Sequence, residues 1–144
     1  VYEDLGGFKE KLNHTADWEM WSRILFFRKG ILIDEILSSW RDFNDSDTKK
    51  VRKNGDEIKD HYNAINEIAK IYNESKRSYD IPKGIGISNC HHFIAIHDYR
   101  SFYNNYKVLL SISTYFESLK YSIKFLLLIM RTRFKSILKK NVFK

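Results

Sequence analysis

At 144 residues the chain is long enough for one domain with its own core, and 43% hydrophobic with 15% aromatic residues excludes an intrinsically disordered polymer. Its net charge of +7 is unevenly placed: eight Lys and Arg and no acid follow Glu117, and subtracting those eight from the 25 bases leaves 17 against 18 acids. A single cysteine, Cys90, excludes an internal disulfide and suits a reducing, intracellular compartment, and the residues after Val1 do not resemble a signal peptide.

Taken in chain order, the first part runs to about Asp47 and is mixed. Thr15 can cap a helix over about Ala16 to Arg28, with Trp18, Trp21 and Leu25 on one stripe and Met20, Ile24 and Phe27 on another. Such a helix, apolar nearly all round, is expected to be buried. Gly30 suits its end, and ILID (Ile31 to Asp34) and ILSSW (Ile36 to Trp40) then read as two short strands. A polar run, DFNDSDT, leaves this layer. From Asp56 to about Lys76, Ile58, Tyr62, Ile65, Ala69 and Tyr72 recur at helical spacing between charges. Pro82, Gly84 and Gly86 mark a break. Helices are then expected over about Ile87 to His97, Tyr99 to Ile112 and Tyr115 to Lys139. The fold class that follows is α+β, mostly α.

Three segments near the start occur in a telling order: GGFKEKL, with Gly6, Gly7, Phe8, Glu10 and Leu12; HTADWEMWSR, with Asp17, Trp21 and Arg23; and ILSSWR, with Leu37, Trp40 and Arg41. In that order they resemble the last part of the catalytic domain of family 2 glycosyltransferases, the inverting nucleotide-sugar enzymes of GT-A fold. The resemblance covers roughly the first 48 residues, a third of the chain. It implies that residues 1–48 are the C-terminal end of a GT-A α/β domain, one buried helix and two short strands, and that 49–144 form a helical accessory region. It also implies transfer of a sugar from a nucleotide-sugar donor to a glycan acceptor hydroxyl, with inversion, in cell-surface polysaccharide or glycan synthesis.

Asp17 stands at the position of the family's catalytic base. An alcohol becomes a good nucleophile only as its proton departs, and a carboxylate takes that proton best when an apolar wall raises its pKa. Trp18 and Trp21 are expected to supply the wall and to stack on a sugar ring. The other substrate-binding candidates are Gly6 and Gly7 in an acceptor turn, Glu19 in a second contact, and Arg41 facing the diphosphate. Read from pattern alone, Asp17 is a first-turn acid that complements the helix dipole. The order of the surrounding motifs favours the base.

The sequence also departs from the family. Phe43 stands where members often carry a histidine that assists the metal or diphosphate. The nucleotide-binding half with its Asp-x-Asp would precede the acid motif, yet sixteen residues precede Asp17. Asp45, Ser46 and Asp47 spell Asp-x-Asp too late in the chain and read as turn and cap residues. The expectation is therefore the C-terminal piece of a longer enzyme, inactive alone. A divalent ion, Mg or Mn, is implied for the complete enzyme and none for this piece.

Cys90, His91, His92 and His97 raise a zinc reading, but three consecutive helical residues point in three directions and no second pair stands at finger spacing. In the last helix, Phe116, Leu119, Ile123, Leu126, Leu127, Met130, Phe134, Ile137 and Leu138 form a long apolar stripe beside Lys120, Lys124, Arg131, Lys135 and Lys139. The stripe suits either packing on the preceding helices or contact of residues 118–144 with an anionic membrane surface. The uninterrupted run FLLLIM is six residues, against the ~20 a spanning helix needs. A cytoplasmic chain, peripheral at the inner face of the membrane, is the corresponding location, and no base-reading module points to nucleic acid.

Overall fold

In a computed structural model that describes residues 1–39, 46–72 and 79–142, with side chains through 133, the described residues form six helices. They are α1 (Ala16–Phe27), α2 (Asp47–Asn54), α3 (Asp56–Ile71), α4 (Asp80–Ala95), α5 (Tyr99–Ser111) and α6 (Tyr115–Val142). The described residues contain no strand, which overturns the expected α+β class and the GT-A α/β fragment with its strand pair. Ile31 to Asp34 and the described part of Ile36 to Trp40 are irregular. The physical reason lies in their connection. Glu35 alone would join the two strands, whereas a hairpin turn needs at least two residues, and no other described segment offers a sheet edge to pair with.

Helices α3, α4 and α5 form the centre. The turn between α4 and α5 holds His97 at φ 61, and Asp98 then caps α5 by accepting from the Ser101 N–H at 3.1 Å and its hydroxyl at 2.7 Å. Cys90, Ile94, Leu109 and Phe125 are fully buried together, with Phe102 and Tyr106 beside them. The Phe125 ring meets those of Phe102 and Tyr106 edge-on, with centroids 5.8 and 5.9 Å apart. Gly86 permits the approach of three helices, because a Cβ there would lie 3.1 Å from Leu109 and 3.2 Å from Ile58. The expected break at Pro82 is instead the first turn of α4, where a missing N–H costs no hydrogen bond.

A polar layer lies beside this apolar one. Asn89 donates to Glu57 at 2.9 Å and to Asn105 Oδ1 at 3.1 Å, while Asn105 donates to the carbonyls of Arg52 at 2.8 Å and Ser101 at 2.9 Å. Burial alone would raise the Glu57 pKa, but the bonds from Arg52 and Asn89 and the positive charge of Arg52 outweigh it and hold the carboxyl below its ordinary value. This layer ties α2, α3, α4 and α5 to one another. Helix α2 carries no buried residue. Ser46 caps its start and Gly55, at φ 79, ends it and starts α3.

The two outer helices attach to opposite parts of this centre. α1 lies on α3, and α6 runs along α4 and α5. Thr114 and Glu117 start α6 with a reciprocal capping box: the Thr114 N–H donates to Glu117 at 2.8 Å and the Glu117 N–H to the Thr114 hydroxyl at 3.4 Å. Lys83 in the first turn of α4 adds a salt bridge to Glu117 at 2.9 Å.

Candidate functional site at the start of α1

Residues 1–15 reach α1 through a pair of turns with Gly6 at φ 79 and Gly7 at φ 64, left-handed values that glycine adopts without strain. Two anchors fix this segment. The first is Asp60, on α3 and buried. Its carboxylate accepts from the backbone N–H of Asn13 at 3.2 Å, His14 at 2.7 Å and Thr15 at 2.7 Å, and from the Thr15 hydroxyl at 2.9 Å. Thr15 is the N-cap of α1 by position, yet its side chain makes no capping bond. Its hydroxyl is spent on Asp60, and the helix start is held from across the interface. Lys11 adds a bridge to Glu67 at 2.6 Å. Hydrogen bonds from Lys11 and Lys70 keep the Glu67 carboxyl below its ordinary pKa.

The second anchor is the pair Glu19 and Arg23, one turn apart on α1. Their side chains are 0% and 7% exposed and bonded twice, Nε to Oε1 at 3.1 Å and Nη2 to Oε2 at 2.9 Å. Arg23 then donates to the carbonyls of Leu5 and Gly7, the latter at 2.7 Å. A buried pair of this kind is favourable only when its remaining donors are satisfied, and the turn carbonyls satisfy them. The Gly6-Gly7 turn and α1 therefore behave as one unit.

Around these anchors the sequence candidates fall in different places. Asp17 is exposed in the first turn of α1, where its Oδ1 accepts from the Trp18 N–H at 2.7 Å. Trp18 is half-buried, its ring 5.6 Å from that of His61, and His61 lies 6.0 Å from His14. Trp21, four residues beyond Asp17, is not enclosed but 59% exposed. Nor is α1 buried all round. Its buried residues are Glu19, Met20 and Arg23, while Leu25, Phe26 and Phe27 face outward. Glu19 is enclosed by Arg23 rather than open to a ligand. Gly6 and Gly7 sit in the turn that Arg23 holds. Arg41, with Trp40 and Phe43, lies outside the described residues.

The geometry brings together the GGF turn and the ADWEMWSR helix, and it exposes the Asp17 carboxylate one residue before Trp18, whose ring lies near that of His61, itself near His14. Such a carboxylate can accept a proton or a hydroxyl hydrogen bond, and a half-buried indole can stack on a ring. Sequence reasoning missed Asp60 and Arg23 as the groups that build the site. The available signal was Glu57, Asp60 and Ala64 at helical spacing, a second inward face of α3 flanking its apolar stripe.

Cys90 is fully buried, and burial pushes its thiol up to about 12. Among the described residues no group of three or more His, Cys, Asp or Glu could hold a metal ion, so they offer no ligand set for a divalent ion. No protein-family model matches the sequence, and no curated protein or solved structure matches it either.

Proposed function

We propose that the chain is the acceptor-side part of an inverting glycosyltransferase that moves a sugar from a nucleotide-sugar donor to an acceptor hydroxyl, in glycan or polysaccharide synthesis. Asp17 is the base that takes the acceptor proton, and Trp18 lines the acceptor. The observation that carries this reading is the bond set from Arg23 to the Leu5 and Gly7 carbonyls. It joins two of the three segments of the resemblance into one unit whose helix start presents Asp17 to solvent. The nucleotide-binding half, and the Mg or Mn ion that goes with the donor, belong to sequence outside these 144 residues. A cytoplasmic location, peripheral at the inner face of the membrane, belongs to the same proposal. No helix among the described residues is long and apolar enough to cross a membrane.

The test is transfer from a panel of labelled nucleotide-sugars by the enzyme that contains this chain, with and without Asp17→Asn. Loss of the base should lower kcat by roughly 10² to 10⁴, with the helical circular dichroism unchanged. Undiminished transfer would remove Asp17 from the mechanism, and a chain that needs no nucleotide-binding half for any of its activities would remove the reading itself.

A further inference from the structure

Helix α6 has two apolar faces, and the fold uses one. Phe125, Tyr121, Leu128 and Ile129 turn inward onto α4 and α5. On the opposite side, Phe116 is 81% exposed, and Leu119, Ile123, Leu126, Leu127 and Met130 are each half or more exposed. At helical spacing these six occupy about a third of the circumference, a continuous stripe four turns long. The sequence continues the same register with Phe134 and Ile137.

What covers this face is decided by its flanks. Lys120, Lys124 and Arg131 run along one edge, all exposed, and Arg133 stands on the other, 5.6 Å from the Tyr99 ring. No acid occurs after Glu117, while Lys135, Lys139, Lys140 and Lys144 follow. A second copy laid on the stripe would set cations against cations along its length, where paired helices place opposite charges. An anionic lipid surface supplies both things the face lacks, an apolar phase for the stripe and negative headgroups for cations that snorkel at its edges.

From this we infer that the outward face of α6 lies in the plane of an anionic phospholipid bilayer, with Leu119, Ile123, Leu127 and Met130 below the headgroups and Lys120, Lys124 and Arg131 among them. The inference gives the peripheral location its surface and rests on that location alone. Its test reads lipid binding and not sugar transfer, so either proposal can fail without the other.

The experiment is co-sedimentation of the 144-residue chain with vesicles of phosphatidylcholine alone or with 30% phosphatidylglycerol, at low and high salt, beside sedimentation velocity without lipid. Binding is expected to be at least tenfold tighter to the anionic vesicles than to the neutral ones, and to weaken with salt. Leu127→Asp, at an exposed position that leaves the core intact, should abolish it. Lys120→Gln with Lys124→Gln should weaken it roughly 25-fold, at about fivefold per cation. Ile123→Trp should show a blue-shifted emission on anionic vesicles. Equal binding to both vesicle types, binding that Leu127→Asp leaves intact, or a lipid-free dimer that Leu127→Asp dissociates would each overturn the assignment.

Discussion

Helices α1 and α6 flank the same three-helix centre, and each leaves an apolar face outward, yet they are fastened by different physics. α1 is held chiefly by directed polar bonds beside one fully buried apolar side chain, Met20: the Asp60 carboxylate on three backbone N–H groups, and the Glu19 and Arg23 pair that grips the turn before the helix. α6 is held by an apolar knob, Phe125, with polar staples at Lys83–Glu117 and from Tyr106 to Ser122 at 2.6 Å. The outward faces differ in the same way. Charges of both signs, Asp17, Arg28, Lys29, Asp34 and Glu35, surround or follow the exposed Trp21, Leu25, Phe26 and Phe27. Only cations border the outward stripe of α6 beyond Glu117. Exposed apolar area by itself names no partner, and it is the charge along its edge that separates the two cases.

The comparison can be broken at either attachment. Glu19→Ala leaves the Arg23 guanidinium buried without its partner, and should cost about 3–5 kcal/mol in chemical denaturation. Phe125→Ala should cost about as much, through the cavity it opens under α6. The two are told apart by rescue. Glu19→Leu combined with Arg23→Met should recover most of the stability but leave the amides of residues 5–8 exchanging faster, because the Leu5 and Gly7 carbonyls have lost their donor. Phe125→Leu should recover most of its loss with no such local signature. If both attachments were apolar in nature, the Glu19 and Arg23 double substitution would leave exchange in the turn unchanged.

Asp60→Asn comes next. An amide keeps one acceptor oxygen but turns its own N–H groups toward donors, so at least one buried backbone N–H loses its partner, at about 1–3 kcal/mol. Far smaller is Trp21→Ser on the outward face of α1, which should shift stability by about 0.5 kcal/mol or less. A large loss there would mean that this face is covered within the chain itself.

These attachments also explain what the sequence could and could not show. α5 was legible to within a residue and α6 at its start, with its end placed three residues short; Asp98 and Thr114 fix those starts in the structure. α2 was not, because DTKKVRKN has no apolar period and owes its helix to Ser46, Gly55 and the Arg52 contacts with Glu57 and Asn105. The start of α4 was missed by reading Pro82 as a break instead of a first-turn residue. The two strands failed for want of a neighbour, which a local β-rich run cannot report. At the site, the first turn of α1 was legible and Asp17 lies in it. Its surroundings were not, since periodicity treats Glu19 and Arg23 as surface charges, and their burial depends on carbonyls sixteen and eighteen residues before Arg23.

The most local effect concerns the start of α6, and it sharpens the contrast with α1 because it titrates. Glu117 is held at about 2, against an ordinary 4.5, by the hydrogen bond from Lys83 first and by the Thr114 N–H and hydroxyl after it. A carboxyl depressed on folding contributes stability that is fully present above about 4.5 and is lost as pH falls through about 2. Acid should therefore loosen the first turn of α6 between those values while the anchor at Phe125, which carries no charge, stays in place. The measurement is the side-chain carbon shift of Glu117 against pH. Lys83→Met should move its midpoint up toward 4.5, with the Thr114 bonds holding it short of that value. Added salt should raise the wild-type midpoint as well, since the pair is partly exposed to solvent. A wild-type midpoint already at 4.5 would mean that the capping box and Lys83 do not hold the start of α6, leaving the helix attached by its apolar face alone.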